Sequence, residues 1–375
     1  MTAPAASRGR VLGLDAARGL ALIGMIMVNV GPLDADSGWR RLYLLPYGRA
    51  SILFVVVAGI SMALYLRSRR DDVRRWPTLV WRAMVFLSGG LALQLVSDDV
   101  GVILPLYGVL FVLILGLQRM RPRYLLGLAV ACTVIGPVLL VAHVVVEGGR
   151  HLGTPVAWGD SLGVIAHSLL LSGRYPLLSW VVPFLVGMWL ASLDLTRRTT
   201  SNRLMVVGGS AAVGAFLLAR IAPAVLGAGA DSGYARLLTG VAHGQMPLWL
   251  ISSVGGAVFV VAALVRFWDQ LAWAASPLVA AGQLALTLYV VHVVVLAFIT
   301  PPDGFTFAQG IAVSAAMALA LVAAAVMWRR AVGIGPLERL LRAEWLRPVT
   351  RGPRPPRPGS DRTPAPTPPE MRRRR

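Results

Sequence analysis

The stretch Arg10-Val11-Leu12-Gly13-Leu14-Asp15-Ala16-Ala17-Arg18-Gly19 passes straight into the apolar run Leu20 to Val30, with Asn29 near its end. An acid, a base and an amide thus stand inside one hydrophobic segment long enough to cross a bilayer. Ionisable groups at that depth cost roughly 2.5–3.5 kcal/mol or more, so they face a protein interior or a wet cavity. At about 100° per residue, Asp15, Arg18 and Asn29 fall within about 60° of one another and form one polar stripe. Asp15 and Arg18, at i and i+3, can pair near the start of the helix, and Gly19 lets a second backbone approach. Two readings of the pair stand together. It is a structural ion pair at a membrane boundary, or Arg18 neutralises the phosphate or carboxylate of a ligand while Asp15 orients the guanidinium.

The rest of the chain sets the class. Of 375 residues, 56% are hydrophobic and only 14% charged, too apolar for a soluble domain. About ten apolar runs of span length follow one another: Val11 to Leu33, Ser51 to Leu66, Thr78 to Val96, Val100 to Leu117, Tyr124 to Val146, Leu177 to Leu193, Leu204 to Leu226, Pro247 to Val265, Pro277 to Ile299 and Phe307 to Trp328. Strand-type alternation is missing. The expectation is an all-α polytopic membrane protein, about ten transmembrane helices in one bundle over residues 1–347.

Arginine placement predicts the topology through the positive-inside bias. Arg8 and Arg10, Arg67 to Arg75, Arg119 to Arg123 and Arg197 to Arg203 fall on one side, read as cytoplasmic. The other side carries Asp34, Asp36, Arg40, Arg41, Asp98, Asp99, Asp160, Asp231 and Asp303. An even number of spans then returns the C-terminus to the cytoplasm, and the protein is placed in the cell membrane as a multi-pass protein. The net charge of +19 is a topology signal and a tail, with attraction to anionic membrane lipids as a second effect. Nucleic acid is not an expected partner, because the arginines flank spans and do not form one aromatic-laced face. Residues 348–375 repeat Pro, Arg and Thr and are read as a disordered cytoplasmic tail. The first span is read as a retained anchor, since no small-residue cleavage site follows it.

Cys132 is alone, so no internal disulfide forms, and no pair of Cys or His has metal-ligand spacing. No Walker-type phosphate loop is present. ATP-driven and metal-dependent mechanisms are therefore not expected. Within the ninth run, His292 shares a helical face with Tyr289 and Ala285, while Gln283 and Thr287 lie about 140° or more away. Such a helix, polar on two sides, is expected to be surrounded by protein. Glu338 and Arg342 are spaced as an i,i+4 pair on a short helix after the last span. The external segment Glu147 to Tyr175 is expected to hold an interfacial helix.

The run RVLGLDAARGLALIGMIMVNVGP (10–32) resembles the N-terminal signature of the bacterial YeiB-type membrane proteins (domain of unknown function 418) and of their relatives, the heparan-α-glucosaminide N-acetyltransferases. LFVVVAGISMALYL (53–66), ILPLYGVLFVLI (103–114), YPLLSWVVPFLVGMWLASLDL (175–195), PLVAAGQLALTLYVVHVVV (277–295) and GPLERLLR (335–342) follow in family order. The resemblance implies a transmembrane acyltransferase that takes acyl-CoA, acetyl-CoA in the type case, on the cytoplasmic side and delivers the acyl group to an acceptor, often a sugar, on the far side. Asp15 and Arg18 then stand at the donor's mouth as its binding residues. Asn29 matches the family asparagine, an amide able to bind a carbonyl or acceptor oxygen.

The animal enzymes carry a catalytic histidine in the first external loop, but Gly31 to Arg49 here contains none, and Arg49 stands near where an acidic residue follows it in the family. Acyl transfer needs a base, and two histidines fall in the external half. His292 is either a core imidazole bonded to Tyr289 or the backbone, or that base. His243, in TGVAHGQMP (239–247), is either an ordinary loop residue or the base. A second function class stays open, a carrier for a small anionic or lipidic solute in which Arg18 binds and no covalent step occurs. Carriers commonly show repeated halves, and none is visible in this sequence.

Overall fold

A computed structural model describes residues 11–33, 38–68, 75–96, 100–148, 153, 159–227 and 233–343. Asp98, Asp99 and the 348–375 tail lie outside the described residues. The described residues form fourteen α-helices: α1 (Leu12–Val30), α2 (Gly38–Tyr43), α3 (Arg49–Ser68), α4 (Arg75–Gln94), α5 (Leu104–Leu117), α6 (Pro122–Glu147), α7 (Leu162–His167), α8 (Leu177–Leu190), α9 (Arg198–Leu226), α10 (Pro247–Arg266), α11 (Trp268–Gln283), α12 (Ala285–Ile299), α13 (Phe307–Ala331) and α14 (Pro336–Arg342). No strand occurs among the described residues, and the fold is an all-α polytopic membrane bundle. Seven helices, α1, α3, α4, α6, α9, α10 and α13, are each long and apolar enough to cross a membrane, and two bent helix pairs also qualify. The fourth predicted run is α5, whose 14 residues span only about 21 Å.

Burial orders the helices. In α1 and α3, 67% and 72% of the span is buried by protein, whereas in α9 and α13 only 22% is, so the first pair is the centre and the second faces lipid. Helix association in a bilayer relies on close packing, since lipid is as apolar as leucine, and glycines supply it here. A Cβ on Gly59 of α3 would run into the Phe184 carbonyl of α8, and one on Gly187 of α8 into the Val56 carbonyl of α3. Against the other side of α1, Gly19 faces the Leu278 backbone and Gly282 of α11 faces the Asp15 carbonyl.

Two expectations are corrected. The ninth span is not one helix: α11 begins earlier, at Trp268, and α12 leaves it at 78° beyond Leu284. Gln283 therefore does not share a helical wheel with His292, whereas Thr287 lies on α12 with it. The break leaves the first N–H groups of α12 without intrahelical partners, and Glu338 of α14 takes one of them, accepting from Thr287 N at 3.0 Å and also from Thr287 Oγ1 at 2.5 Å. The Glu338 carboxylate is thus spent on a helix start in another segment and not on the i,i+4 pairing with Arg342. In the segment before α8, the described helix is α7, capped by Ser161, followed by a π-helical turn at Ser168–Ser172 and a 54° bend into α8.

Candidate functional site

The buried Asp15 carboxylate accepts from Arg18 Nη1 at 3.1 Å through Oδ1 and from Gln283 Nε2 at 3.2 Å through Oδ2. Arg18 spends further N–H groups on the Gly282 carbonyl at 3.4 Å and on Ser61 Oγ at 2.5 Å. This network ties α1 to α3 and to α11, the latter already brought to backbone distance by the glycine contacts. The sequence-local pair is therefore real, and its partners Gln283 and Ser61 are non-local. Arg18 lines a cavity of about 290 Å³ together with Arg82, Glu338, Arg342, Tyr107 and Tyr289. Arg82 is held there by the Leu341 carbonyl at 2.9 Å and by the face of Tyr65 at 4.4 Å.

Asn29 lies eleven residues further along α1, about 16 Å up the axis. Its Nδ2 is 2.9 Å from Nε2 of His292, a wholly buried ring on α12 that meets Tyr289 edge to face at 4.9 Å. An amide N–H can only donate, so with this amide orientation Nε2 accepts and the imidazole carries its proton on Nδ1. Asn29 also lines a second cavity, of about 640 Å³, whose walls include Tyr47, Arg174, Tyr175 and His243. Between the cavities stands Tyr289. Its hydroxyl accepts from Ile103 N at 3.2 Å and lies 3.5 Å from the carbonyl of Gly101, which belongs to the second cavity's wall.

His243 sits in a box of aromatic rings, with centroids of Tyr47, Tyr175, Trp180 and Trp249 at 4.9 to 5.9 Å. The backbone holding it is left-handed at two residues that are not glycine, His243 (φ 56°) and Gln245 (φ 64°). Each such residue costs about 1–2 kcal/mol, and strain of this kind concentrates where a side chain must be aimed. The ring touches cavity space, yet protein packed around it and the nearby Arg174 cation push its pKa down to about 4, so it is neutral near pH 7. An unfolded histidine titrates near 6.5. Above that value both states are neutral. As pH falls below it the unfolded chain takes up a proton that the native ring refuses until about pH 4, so this contribution to stability is lost between pH 6.5 and 4. Thermal unfolding in detergent is expected to show a drop across that window that is smaller in His243→Phe; equal acid sensitivity in the two proteins contradicts the assignment.

Of the residues named from sequence, the structure thus brings Asn29 and His292 into direct contact and puts Asn29 and His243 on one cavity, while Arg18 lines the other and Asp15 is buried behind it as its ion-pair partner. Sequence reading missed a further pair. The rings of His143 of α6 and His167 of α7 meet at a tilt of 56° with centroids 4.7 Å apart, and His167 Nδ1 lies 2.9 Å from Ser172 Oγ on the second cavity's wall. They are 24 residues apart across a bend, and no local spacing announces them. Ser61 did carry a signal, as a hydroxyl within an apolar run.

Residues 194–347 match the family described as protein of unknown function (DUF418). Residues 10–219, more than half the chain, match the family described as heparan-alpha-glucosaminide N-acetyltransferase, catalytic. No protein of curated function matches the chain. The second match covers α1, with Asp15, Arg18 and Asn29, and the first covers α11 to α14, with His292 and Glu338, so each cavity is built from both regions. The chain belongs to the heparan-alpha-glucosaminide N-acetyltransferase catalytic family.

Proposed function

We propose that this protein is an integral membrane acyltransferase of the cell membrane, moving an acyl group from acyl-CoA to a small-molecule or glycan acceptor on the opposite face. The observation that carries the reading is that Asn29, held by His292, opens onto the same cavity as the neutral His243, while Arg18 marks a cationic cavity at the other end of the same helix. In this reading Arg18, with Arg82 and Arg342, holds the phosphate-bearing donor on the cytoplasmic side, where both termini also lie. The acyl arm reaches the second cavity past Tyr289.

There the acceptor oxygen or nitrogen attacks the thioester carbonyl. Its proton passes to the His243 imidazole, the carbon–sulfur bond breaks, and the proton returns to the departing CoA thiolate. The Asn29 amide lies on the wall where an oxyanion develops, so it serves as a hydrogen-bond donor to that charge. His292, sealed from both cavities, is a positioning residue that sets the Asn29 rotamer.

Protein reconstituted in nanodiscs and given radiolabelled acetyl-CoA and candidate sugars is expected to release CoA only when an acceptor is present. Asn29→Ala is expected to slow that release about 10²–10³-fold, the usual cost of one oxyanion donor. Transmembrane flux of an anionic solute with no CoA binding overturns the reading in favour of a carrier.

A further inference from the structure

A third cavity, about 610 Å³, lies on the side of α3 away from Arg18, where the end of α3, the α5–α6 turn and α8 meet. Arg67, Arg119 and Arg121 converge on it, and no carboxylate stands among the described residues that line it. Arg67 is fixed in place, one N–H donated to the Ala191 carbonyl at the C-terminal end of α8, which leaves the rest of its fork unspent. Arg119 and Arg121 are exposed and bracket the turn that starts α6. Gln118 is occupied by the Leu115 carbonyl at 3.1 Å. Below the guanidiniums the wall turns apolar, with Ala63, Leu66, Leu125 and Met188. Elsewhere around α6, Tyr124, Leu126 and Val130 are open to the surroundings at 51%, 38% and 62% exposure.

Three cations with no carboxylate among the described residues of the groove, set above an apolar wall, match one ligand chemistry: a phosphate diester joined to acyl chains. We propose that this groove binds the headgroup of an anionic phospholipid, its phosphate gripped by Arg67, Arg119 and Arg121 and its chains laid along α6. Arginine suits the role because its planar fork meets two phosphate oxygens at once and is more weakly hydrated than an ammonium. A free inorganic phosphate uses the same cations and leaves the apolar wall without a partner. The site is independent of the acyl-transfer reading, since none of its residues lines the other two cavities.

Delipidated full-length protein in detergent, titrated with phosphatidylglycerol and followed by native mass spectrometry and thermal unfolding, is expected to retain the lipid and to melt higher with it. Phosphatidylcholine of the same chains is expected to do neither. The double variant R119Q/R121Q removes two surface cations, each worth about fivefold, and is expected to bind phosphatidylglycerol about thirtyfold more weakly. Because both side chains are exposed, its melting without lipid should equal that of the unchanged protein, which separates lost binding from lost folding. Unaltered phosphatidylglycerol affinity in the variant overturns the proposal, as does equal retention of phosphatidylcholine. Inorganic phosphate binding as tightly as the lipid also overturns it, in favour of a plain anion site.

Discussion

Gly282→Val is expected to unfold or severely destabilise the bundle, by about 3 kcal/mol or more in detergent, at the upper end of what overpacking costs. The reason is that the obstacle is backbone. A Cβ at position 282 overlaps the Asp15 carbonyl oxygen and comes within 3.0 Å of Gly19 N, and neither can rotate away as a side chain can. The helices α1 and α11 must separate, which strips the Gln283 bond from Asp15 and the Gly282 carbonyl from Arg18 in one displacement. Gly116→Ala is the matched control, a glycine in α5 where a Cβ meets nothing within 4 Å. That change should be neutral or stabilising by up to about 1 kcal/mol, because alanine is the better helix former. Thermal unfolding of both variants decides the matter: similar melting for the two means that the α1–α11 contact is looser than its geometry says.

The legibility of this protein from its sequence divides along the range of the interactions involved. Apolar runs were readable because a bilayer forces every backbone group to be satisfied within its own helix, which leaves a length signature in composition alone. Asp15 and Arg18 were readable because three residues of helix put them together by geometry, and their 3.1 Å pair is the result. The break at Leu284 was not, since no proline or glycine stands at it; what holds α12 open is the Glu338 carboxylate, 51 residues away, capping Thr287. The same limit applies to the candidate site. Asn29 and His292 were each visible as polar residues in apolar helices, but their contact spans 263 positions. His243 faces its cavity through left-handed backbone at residues that do not favour it, a conformation that neither periodicity nor composition encodes.

Arg18→Met, the other change of large effect, is expected to cost about 3–5 kcal/mol, because it takes from the buried Asp15 carboxylate the guanidinium that stands 3.1 Å from it. The cost is that of breaking a buried ion pair from one side and not the net worth of the pair. Removing the charge as well should therefore return most of the stability: in Asp15→Asn/Arg18→Met the new amide still meets Gln283, and the methionine stem fills the space beside Ser61 and Gly282. A double-mutant cycle on thermal or denaturant unfolding measures this directly, and additive losses in the double variant rule out coupling between the two side chains. The rescued protein also separates the two readings of the pair. A purely structural ion pair predicts that the refolded double variant binds acyl-CoA as the unchanged protein does. A donor site predicts that it folds yet binds acyl-CoA markedly more weakly, because one of the three guanidiniums that line the cavity, with Arg82 and Arg342, is gone.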